Sequence, residues 1–195
     1  IETRPYERKQ VLSDQNSMNE LIDGLNKSVK PILLAGELAR GENVRDVLVE
    51  LSDRLGAPVI SAYRCQDVVE NHHPCYAGHL EINPVEYQDK LFNESDFIAV
   101  LGSRLDGITS REETLIKDDD KWAHIHPDNI VLKRFNSDIP VQSDVVPLLT
   151  DIMDRIEQKD NKDSVWRSKA HSDYLKFATA GSYPVNGSVD LSYIA

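Results

Sequence analysis

The feature that most constrains the fold is an unbroken apolar run, Phe97–Leu101, followed directly by Gly102. A run of this kind predicts a strand that is covered on both faces, as in a parallel sheet. The glycine then opens a turn at the carboxyl end of that strand, which is the edge where parallel sheets bind their ligands. Arg104 and Asp106 follow and offer one cation and one carboxylate to that edge. A surface turn with a solvated ion pair explains the same residues.

Alternating helix and strand patterns on both sides of this run predict an α/β fold. In chain order they are a helix that Ser17 caps and that ends near Lys27, a strand at residues 31–35, a helix at 41–55, a strand at 58–61, a long loop at 63–80, a helix at 84–92, the strand at 97–101, an exposed helix or loop at 111–120, strands at 121–126 and 139–142, and a helix at 145–157 that Asp144 caps. We therefore expect an open, mostly parallel sheet of five or six strands with helices on both faces, a Rossmann-like arrangement.

Changes in composition predict the domain boundaries. Residues 1–14 are charged and aperiodic, which is typical of an incoming linker, and residues 15–158 contain the α/β pattern. Residues 159–195 begin with charges and amides, continue with a possible helix at 165–180, and end in what resembles the first turns of another helix. They are expected to be a linker and the start of a truncated following domain, so that the chain is a piece of something longer.

The overall composition excludes several function classes. A net charge of −11 argues against binding to nucleic acid or to anionic membranes, and no apolar run is long enough to span a bilayer. Cys65 and Cys75 do not form a disulfide framework, and His72, His73 and Cys75 lack the second ligand pair of a zinc site. No secretion signal is evident, so reduced thiols and a cytoplasmic location are expected.

Neither a nucleotide motif nor a catalytic constellation stands out. Residues 36–41 and 102–107 each have two glycines separated by four residues, but neither stretch continues with the Lys-Ser or Lys-Thr of a phosphate-binding loop. As nucleotide motifs they are weak, and a turn glycine that ends a strand is the commoner explanation of each. No serine lies in a Gly-x-Ser-x-Gly elbow, so no catalytic residue and no metal ligand is predicted.

The ordered pieces together resemble the central domain of thiamine-diphosphate-dependent enzymes of the acetolactate synthase and pyruvate oxidase superfamily. The resemblance covers roughly residues 18–157. It is carried by Lys-Pro-Ile-Leu-Leu-Ala-Gly at 30–36, Leu-Ser-Asp-Arg-Leu-Gly-Ala-Pro-Val at 51–59, Glu-Asn-His-His-Pro-Cys-Tyr-Ala-Gly at 70–78, the stretch at 95–106, His-Ile-His-Pro-Asp-Asn-Ile at 124–130, and Ile-Pro-Val-Gln-Ser-Asp-Val at 139–145. Single pieces are generic, but their order and spacing are typical of the family.

The resemblance implies a parent enzyme of three α/β domains that acts on a 2-oxo acid as a lyase or transferase. In that family the first domain supplies a glutamate, and the third supplies a Gly-Asp-Gly run and an Asn that hold Mg²⁺ and the diphosphate. The sequence contains no Gly-Asp-Gly. Thiamine diphosphate and Mg²⁺ are therefore expected only in the full-length parent, a homodimer or homotetramer whose outer domains are this domain's partners, and the fragment is not expected to be catalytic by itself.

The resemblance also implies a candidate cofactor site, because some members hold FAD in the middle domain while others hold ADP or nothing. Carried over by position, the site residues are Gly36, Gly102, Ser103, Arg104, Asp106 and Asp144. Three departures count against FAD. Glu37 and Leu38 follow Gly36 where flavin binders often have three glycines, His126 replaces an acid, and Ser143 replaces a glycine.

Two other functions fit the same residues. The chain suits a stand-alone module that binds FAD, NAD or ADP, or an interaction domain whose acidic surface and long loop at 63–80 contact a protein partner. All of these interpretations depend on one geometric expectation, which is that Gly36 and Gly102 lie in a shared notch at the carboxyl-terminal rim of one parallel sheet.

Overall fold

The computed structural model describes residues 9–159 and 165–179. Its strands are β1 Pro31–Ala35, β2 Val59–Ser61, β3 Tyr76–His79, β4 Phe97–Leu101, β5 Trp122–Ile125 and β6 Ile139–Val141. They form one sheet in the spatial order β3-β2-β1-β4-β5-β6, and every neighbouring pair is parallel. The prediction of an open parallel sheet is confirmed. The strand order reverses between β1 and β4, so these central strands flank the topological switch point.

Helices cover both faces of the sheet. They are α1 Gln15–Lys27, α2 Glu42–Leu55, α3 Glu86–Glu94, α4 Asn129–Leu132, α5 Val145–Met153 and α6 Val165–Ala178. Apolar residues of α1, α2 and α5 pack with Leu33 on one face, and those of α3 and α6 pack with Ile32 and Leu34 on the other. Because β1 and β4 are buried along their whole length, each is apolar at every position.

Residues 63–80, predicted as a loop, include the edge strand β3. The prediction was wrong because β3 has only four residues and contains Gly78 in a left-handed conformation, with φ +92°. The pairing of β3 with β2 also shifts in register between Val59 and Ser61, so the strand has no regular pattern for the sequence to reveal. All four residues of β5 are buried.

Three helix boundaries also differ from the predicted ones. Asp14 rather than Ser17 caps α1, because its carboxylate accepts the backbone N–H groups of Asn16 and Ser17. The helix α3 lies at Glu86–Glu94 instead of 84–92. The helix α5 ends at Met153 instead of residue 157.

The last described helix, α6, packs on the same sheet. Trp166 is buried and its indole Nε1–H donates to the carbonyl O of Pro31 at 2.9 Å. His171 donates from Nδ1 to the carbonyl O of Tyr76 on β3 at 2.7 Å. Most of the predicted linkers and the predicted start of a following domain, at residues 1–8, 160–164 and 180–195, lie outside the described residues. Each helix in the described part of the chain is too short or too polar to cross a lipid bilayer.

Candidate functional site

The two glycine turns lie side by side at the carboxyl-terminal rim, as predicted. The Gly36 N–H donates to the carbonyl O of Leu101 at 2.9 Å, and the Leu38 N–H donates to the carbonyl O of Gly102 at 3.0 Å. A Cβ on Gly36 would lie 2.4 Å from the Cα of Ser103, so only glycine permits this approach. Two backbone donors of the β1 turn are therefore already satisfied by the β4 strand and turn.

Side chains fill the space around Gly102. This residue has φ +66°, and a Cβ there would lie 2.7 Å from Leu38 Cβ and 2.8 Å from Val145 Cγ2. The open space beside this contact is a groove of about 290 Å³ between the start of α2, the start of α5 and residues 9–10. That volume is at the lower limit of ligand pockets, which span about 300–1,000 Å³.

An ion pair crosses the switch point. Glu37 begins a single 3₁₀ turn, Glu37–Ala39, and its Oε1 accepts from Arg104 Nε at 2.6 Å and from the Arg104 backbone N–H at 3.3 Å. The Arg104 side chain is 67% exposed and that of Glu37 is 30% exposed. Solvent therefore screens the pair, and its contribution to the free energy of unfolding is expected to be below about 1 kcal/mol.

Ser103 and Asp106 shape the β4 turn by local hydrogen bonds. The buried Ser103 Oγ accepts the Leu105 N–H at 3.1 Å, which holds Leu105 in a left-handed conformation with φ +49°. Asp106 Oδ1 accepts the Thr109 N–H at 2.8 Å, so this exposed carboxylate forms a local turn.

Asp144 is bonded to the incoming segment of the chain. Its Oδ2 accepts the Val11 N–H at 2.8 Å, and its own N–H donates to the Val11 carbonyl O at 2.9 Å. It occupies the N-cap position of α5, but its side chain does not make the predicted capping bond. This residue thus fastens residues 9–14 to the rim beside β6.

Two histidines of β5 lie beneath the rim, and neither was among the predicted site residues. His124 is fully buried and donates from Nε2 to the carbonyl O of Ser103 at 2.8 Å, which makes it a support of the β4 turn. Burial lowers the pKa of His124 to about 4. Burial also lowers the pKa of His126, whose Nδ1 accepts the Asp128 N–H at 3.0 Å. Because residues two positions apart on a strand lie on the same face of a sheet, the spacing of 124 and 126 could have predicted that these two side chains are neighbours.

The cysteines and histidines of residues 63–80 are arranged as structural groups. Burial raises the pKa of Cys65 and of Cys75 to about 11, so neither is an activated thiol. Cys75 Sγ lies 3.0 Å from His73 Nδ1. Within residues 9–159 and 165–179, no three His, Cys, Asp or Glu side chains come together as a metal site.

A separate groove of about 600 Å³ lies between α3 and residues 107–117, away from the rim. Arg111 forms part of its wall and is already held by Asp89 and by Gln88 Oε1. Lys117 and Glu112 add charges of opposite sign. Because the groove offers both charges and its main cation is paired, it indicates no ligand class.

Comparison with known proteins decides the family. A family model described as the thiamine pyrophosphate enzyme central domain matches residues 18–152. The chain belongs to this family. Central domains of this kind occur in enzymes that depend on thiamine diphosphate, and the resemblance expected from the sequence is confirmed.

Two curated relatives and one solved structure are consistent with this assignment. Pyruvate decarboxylase 3 of Arabidopsis thaliana is 25% identical over 133 residues, which is 66% of this chain and 22% of that protein. Acetolactate synthase of Arthrospira platensis is 26% identical over 156 residues, which is 78% of this chain and 26% of that protein. The chain thus spans about a quarter of their length. A putative thiamin diphosphate-dependent enzyme from Mycobacterium smegmatis shares the fold, with a TM-score of 0.65 at 18% identity over 82% of this chain and 31% of that one.

The geometry of the rim is a test of whether a nucleotide cofactor fits this central domain. A flavin or adenine dinucleotide needs free backbone donors and open space at the switch point. Here the donors of Gly36 and Leu38 are used, Leu38 and Val145 fill the space above Gly102, and each predicted polar side chain has a protein partner. The residues present do not fit such a cofactor in this conformation.

Proposed function

We propose that this central domain belongs to a thiamine-diphosphate-dependent lyase or transferase that acts on a 2-oxo acid. The family match over residues 18–152, in a chain related to a pyruvate decarboxylase and an acetolactate synthase, is the observation that carries the proposal. When bound in the other domains of such a parent, thiamine diphosphate with Mg²⁺ supplies a nucleophilic carbanion for attack on the 2-oxo group.

The role of the domain itself is architectural in this proposal. It performs no bond-making step, and it sets the distance between the two outer domains through a rigid sheet with buried central strands. Its carboxyl-terminal rim holds neither FAD nor ADP, because the hydrogen-bonding groups there are satisfied by Glu37, Arg104, Val11 and the β4 turn. This closed rim also disfavours a stand-alone nucleotide module.

The parent is proposed to be a cytoplasmic homodimer or homotetramer. The reduced, buried state of Cys65 and Cys75 agrees with a reducing compartment. The acidic surface of the domain, in a chain with a net charge of −11, disfavours nucleic acid and membrane partners.

The test is a measurement on the purified parent protein. Its turnover of pyruvate and of longer 2-oxo acids is followed before and after removal of thiamine diphosphate and Mg²⁺, and its visible spectrum is recorded for flavin. The proposal expects activity that is lost and then restored with these two cofactors, and no flavin band. Activity that survives their removal, or stoichiometric flavin in this domain, contradicts it.

A further inference from the structure

We infer that the Glu37 carboxylate is a built-in anion that occupies the place where a phosphate-bearing ligand would meet the β4 turn, and that it excludes nucleotides from this domain. The inference rests on the proposed function, in which the rim holds no cofactor. It assigns the electrostatic part of the exclusion to one side chain and names the ligand class that is excluded, which is nucleoside diphosphates and related phosphate esters.

The donors that Glu37 satisfies form an anion-binding pair. One carboxylate oxygen, Oε1, accepts both the Arg104 backbone N–H at 3.3 Å and the Arg104 Nε–H at 2.6 Å. A backbone amide just beyond the carboxyl end of a parallel strand, next to a guanidinium, is a combination that binds phosphate oxygens in other proteins. Here a carboxylate of the same chain is the acceptor.

The position of Glu37 is set by its neighbours. Gly36 and Leu38, on either side of it, both donate their N–H groups to the β4 strand and turn. The 3₁₀ turn that begins at Glu37 adds a bond from the Ala39 N–H to the Gly36 carbonyl O at 3.0 Å. The carboxylate is therefore held near Arg104 by backbone bonds, so it competes with a dissolved anion at a high local concentration.

A second ion pair in the rim region offers a matched control. Arg40 binds Asp67 through Nε at 3.0 Å and Nη2 at 2.8 Å, and both side chains are about half exposed, at 46% and 57%. Both of these bonds come from the Arg40 guanidinium, whereas Glu37 also accepts the backbone N–H of Arg104. Removing Asp67 or Glu37 changes the net charge by the same amount, but only Glu37→Ala frees the Arg104 amide.

The experiment measures the binding of ADP and of inorganic pyrophosphate by calorimetry at low salt. The proteins are the wild-type chain, Glu37→Ala, Glu37→Gln, Asp67→Ala and the double variant Glu37→Ala/Arg104→Ala, each checked for native melting. We expect Glu37→Ala to bind both probes at least ~10-fold more tightly than wild type, because it frees two donors for a charge-assisted bond. Asp67→Ala should match wild type, and the double variant should lose the gain.

Three results of this experiment would contradict the inference. If neither Glu37→Ala nor Glu37→Gln gains affinity while wild type also fails to bind, the inference is wrong and the cofactor-free domain stands. If wild type binds ADP or pyrophosphate as tightly as Glu37→Ala does, the proposed empty rim fails and the inference with it. If Asp67→Ala gains as much affinity as Glu37→Ala does, the change in net charge alone explains the gain, and the specific role of Glu37 is overturned.

Discussion

At the amino-terminal rim of the sheet, the Asp96 carboxylate accepts hydrogen bonds from the Ser28 hydroxyl and from the N–H groups of Val29 and Lys30. The two N–H bonds are 2.7 and 2.8 Å long. At the carboxyl-terminal rim, Glu37 Oε1 accepts both of its bonds from a single residue, Arg104. The Asp96 carboxylate joins the start of β4 to the connection between α1 and β1, whereas the Glu37 carboxylate joins two turns across the switch point. The first arrangement stabilises the fold, and the second occupies a place where a ligand would bind.

The same contrast extends to the surrounding contacts. Residues far along the chain support the amino-terminal rim, since Trp166 donates to Pro31 and Lys159 Nζ donates to the Leu25 carbonyl O at 3.1 Å. The carboxyl-terminal rim depends on close packing at Gly36, on local turns and on the hydrogen bonds between Asp144 and Val11. We therefore expect the largest single loss of stability at the first rim.

The largest effect is expected for Trp166→Ala. The side chain is buried against β1 and donates to Pro31, so its removal should lower the free energy of unfolding by about 3–5 kcal/mol, the usual range for a buried Trp. Urea unfolding measures this loss. Leu175→Ala, on the more exposed part of the same helix, is the control and should cost under about 1 kcal/mol. Equal losses in both variants would contradict a specific role of Trp166 at this rim.

Gly36→Ala should be the most destabilising change at the opposite rim. Its Cβ would lie 2.4 Å from Ser103 Cα and 2.6 Å from Ser103 N, so the two turns must separate, at a cost of about 1–3 kcal/mol. Adding Ser103→Gly should not restore stability, because the clash is with the backbone as well as with the side chain. Chemical denaturation of both variants tests this, and full rescue in the double variant would show that the turns are less tightly packed.

Asp96→Ala is expected to have a smaller effect, about 1–2 kcal/mol. Three donors at the start of β1 lose their acceptor, but water reaches part of this rim and replaces some of the bonds. Asp138→Ala is the matched comparison, since Asp138 accepts one N–H, that of Trp122, at 3.0 Å. The melting temperature of Asp138→Ala should lie closer to that of wild type than the melting temperature of Asp96→Ala does. The reverse order would mean that the number of lost hydrogen bonds does not determine the loss of stability.

His124 provides the smallest expected effect at neutral pH, where it only sets how stability changes as the pH falls. Burial lowers the pKa of His124 in the folded state from 6.5 to about 4. Between these two pH values the histidine is protonated in the unfolded chain and neutral in the folded chain. The free energy of unfolding should therefore fall as the pH drops from 6.5 to about 4, by at most ~1.4 kcal/mol per pH unit from this group.

His124→Gln retains an amide donor for the Ser103 carbonyl but does not titrate. Its unfolding free energy should therefore decline less steeply than that of wild type over the same pH interval, while His126, whose pKa burial also lowers, continues to contribute in both proteins. Denaturant unfolding across this interval tests the difference. Parallel slopes for the two proteins would mean that His124 takes up its proton over the same pH range in the folded and the unfolded chain.

Much of the fold was predictable because its central strands are apolar at every position and end in glycine. Phe97–Leu101 with Gly102, and the strand before Gly36, were enough to place both turns at one rim. The edge strand β3 was not predictable, because four residues with a left-handed Gly78 have no period. Nor was the docking of α6, since it depends on one indole and on contacts with residues more than 90 positions away.

The candidate site was predictable only as a set of positions. Residue types indicated that Gly36, Gly102 and Arg104 would lie together, and the departure at Glu37 indicated that a side chain would enter the notch. The partners of Asp106 and Asp144 could not be predicted, because one is a local turn to Thr109 and the other is a long-range contact with Val11. Whether a carboxylate at such a rim is available to a ligand depends on the path of the chain around it and not on the residue type alone.

Amide hydrogen exchange at Gly36 and Leu38 tests the central claim, a carboxyl-terminal rim closed by the chain itself, most directly. Both N–H groups are bonded to the β4 strand and turn, at 2.9 and 3.0 Å, so we predict protection comparable to that of the amides within β1 and no change when ADP or FAD is added. Exchange as fast as in exposed loops, or protection that rises with either nucleotide, would contradict a closed rim and indicate a cofactor site in its place.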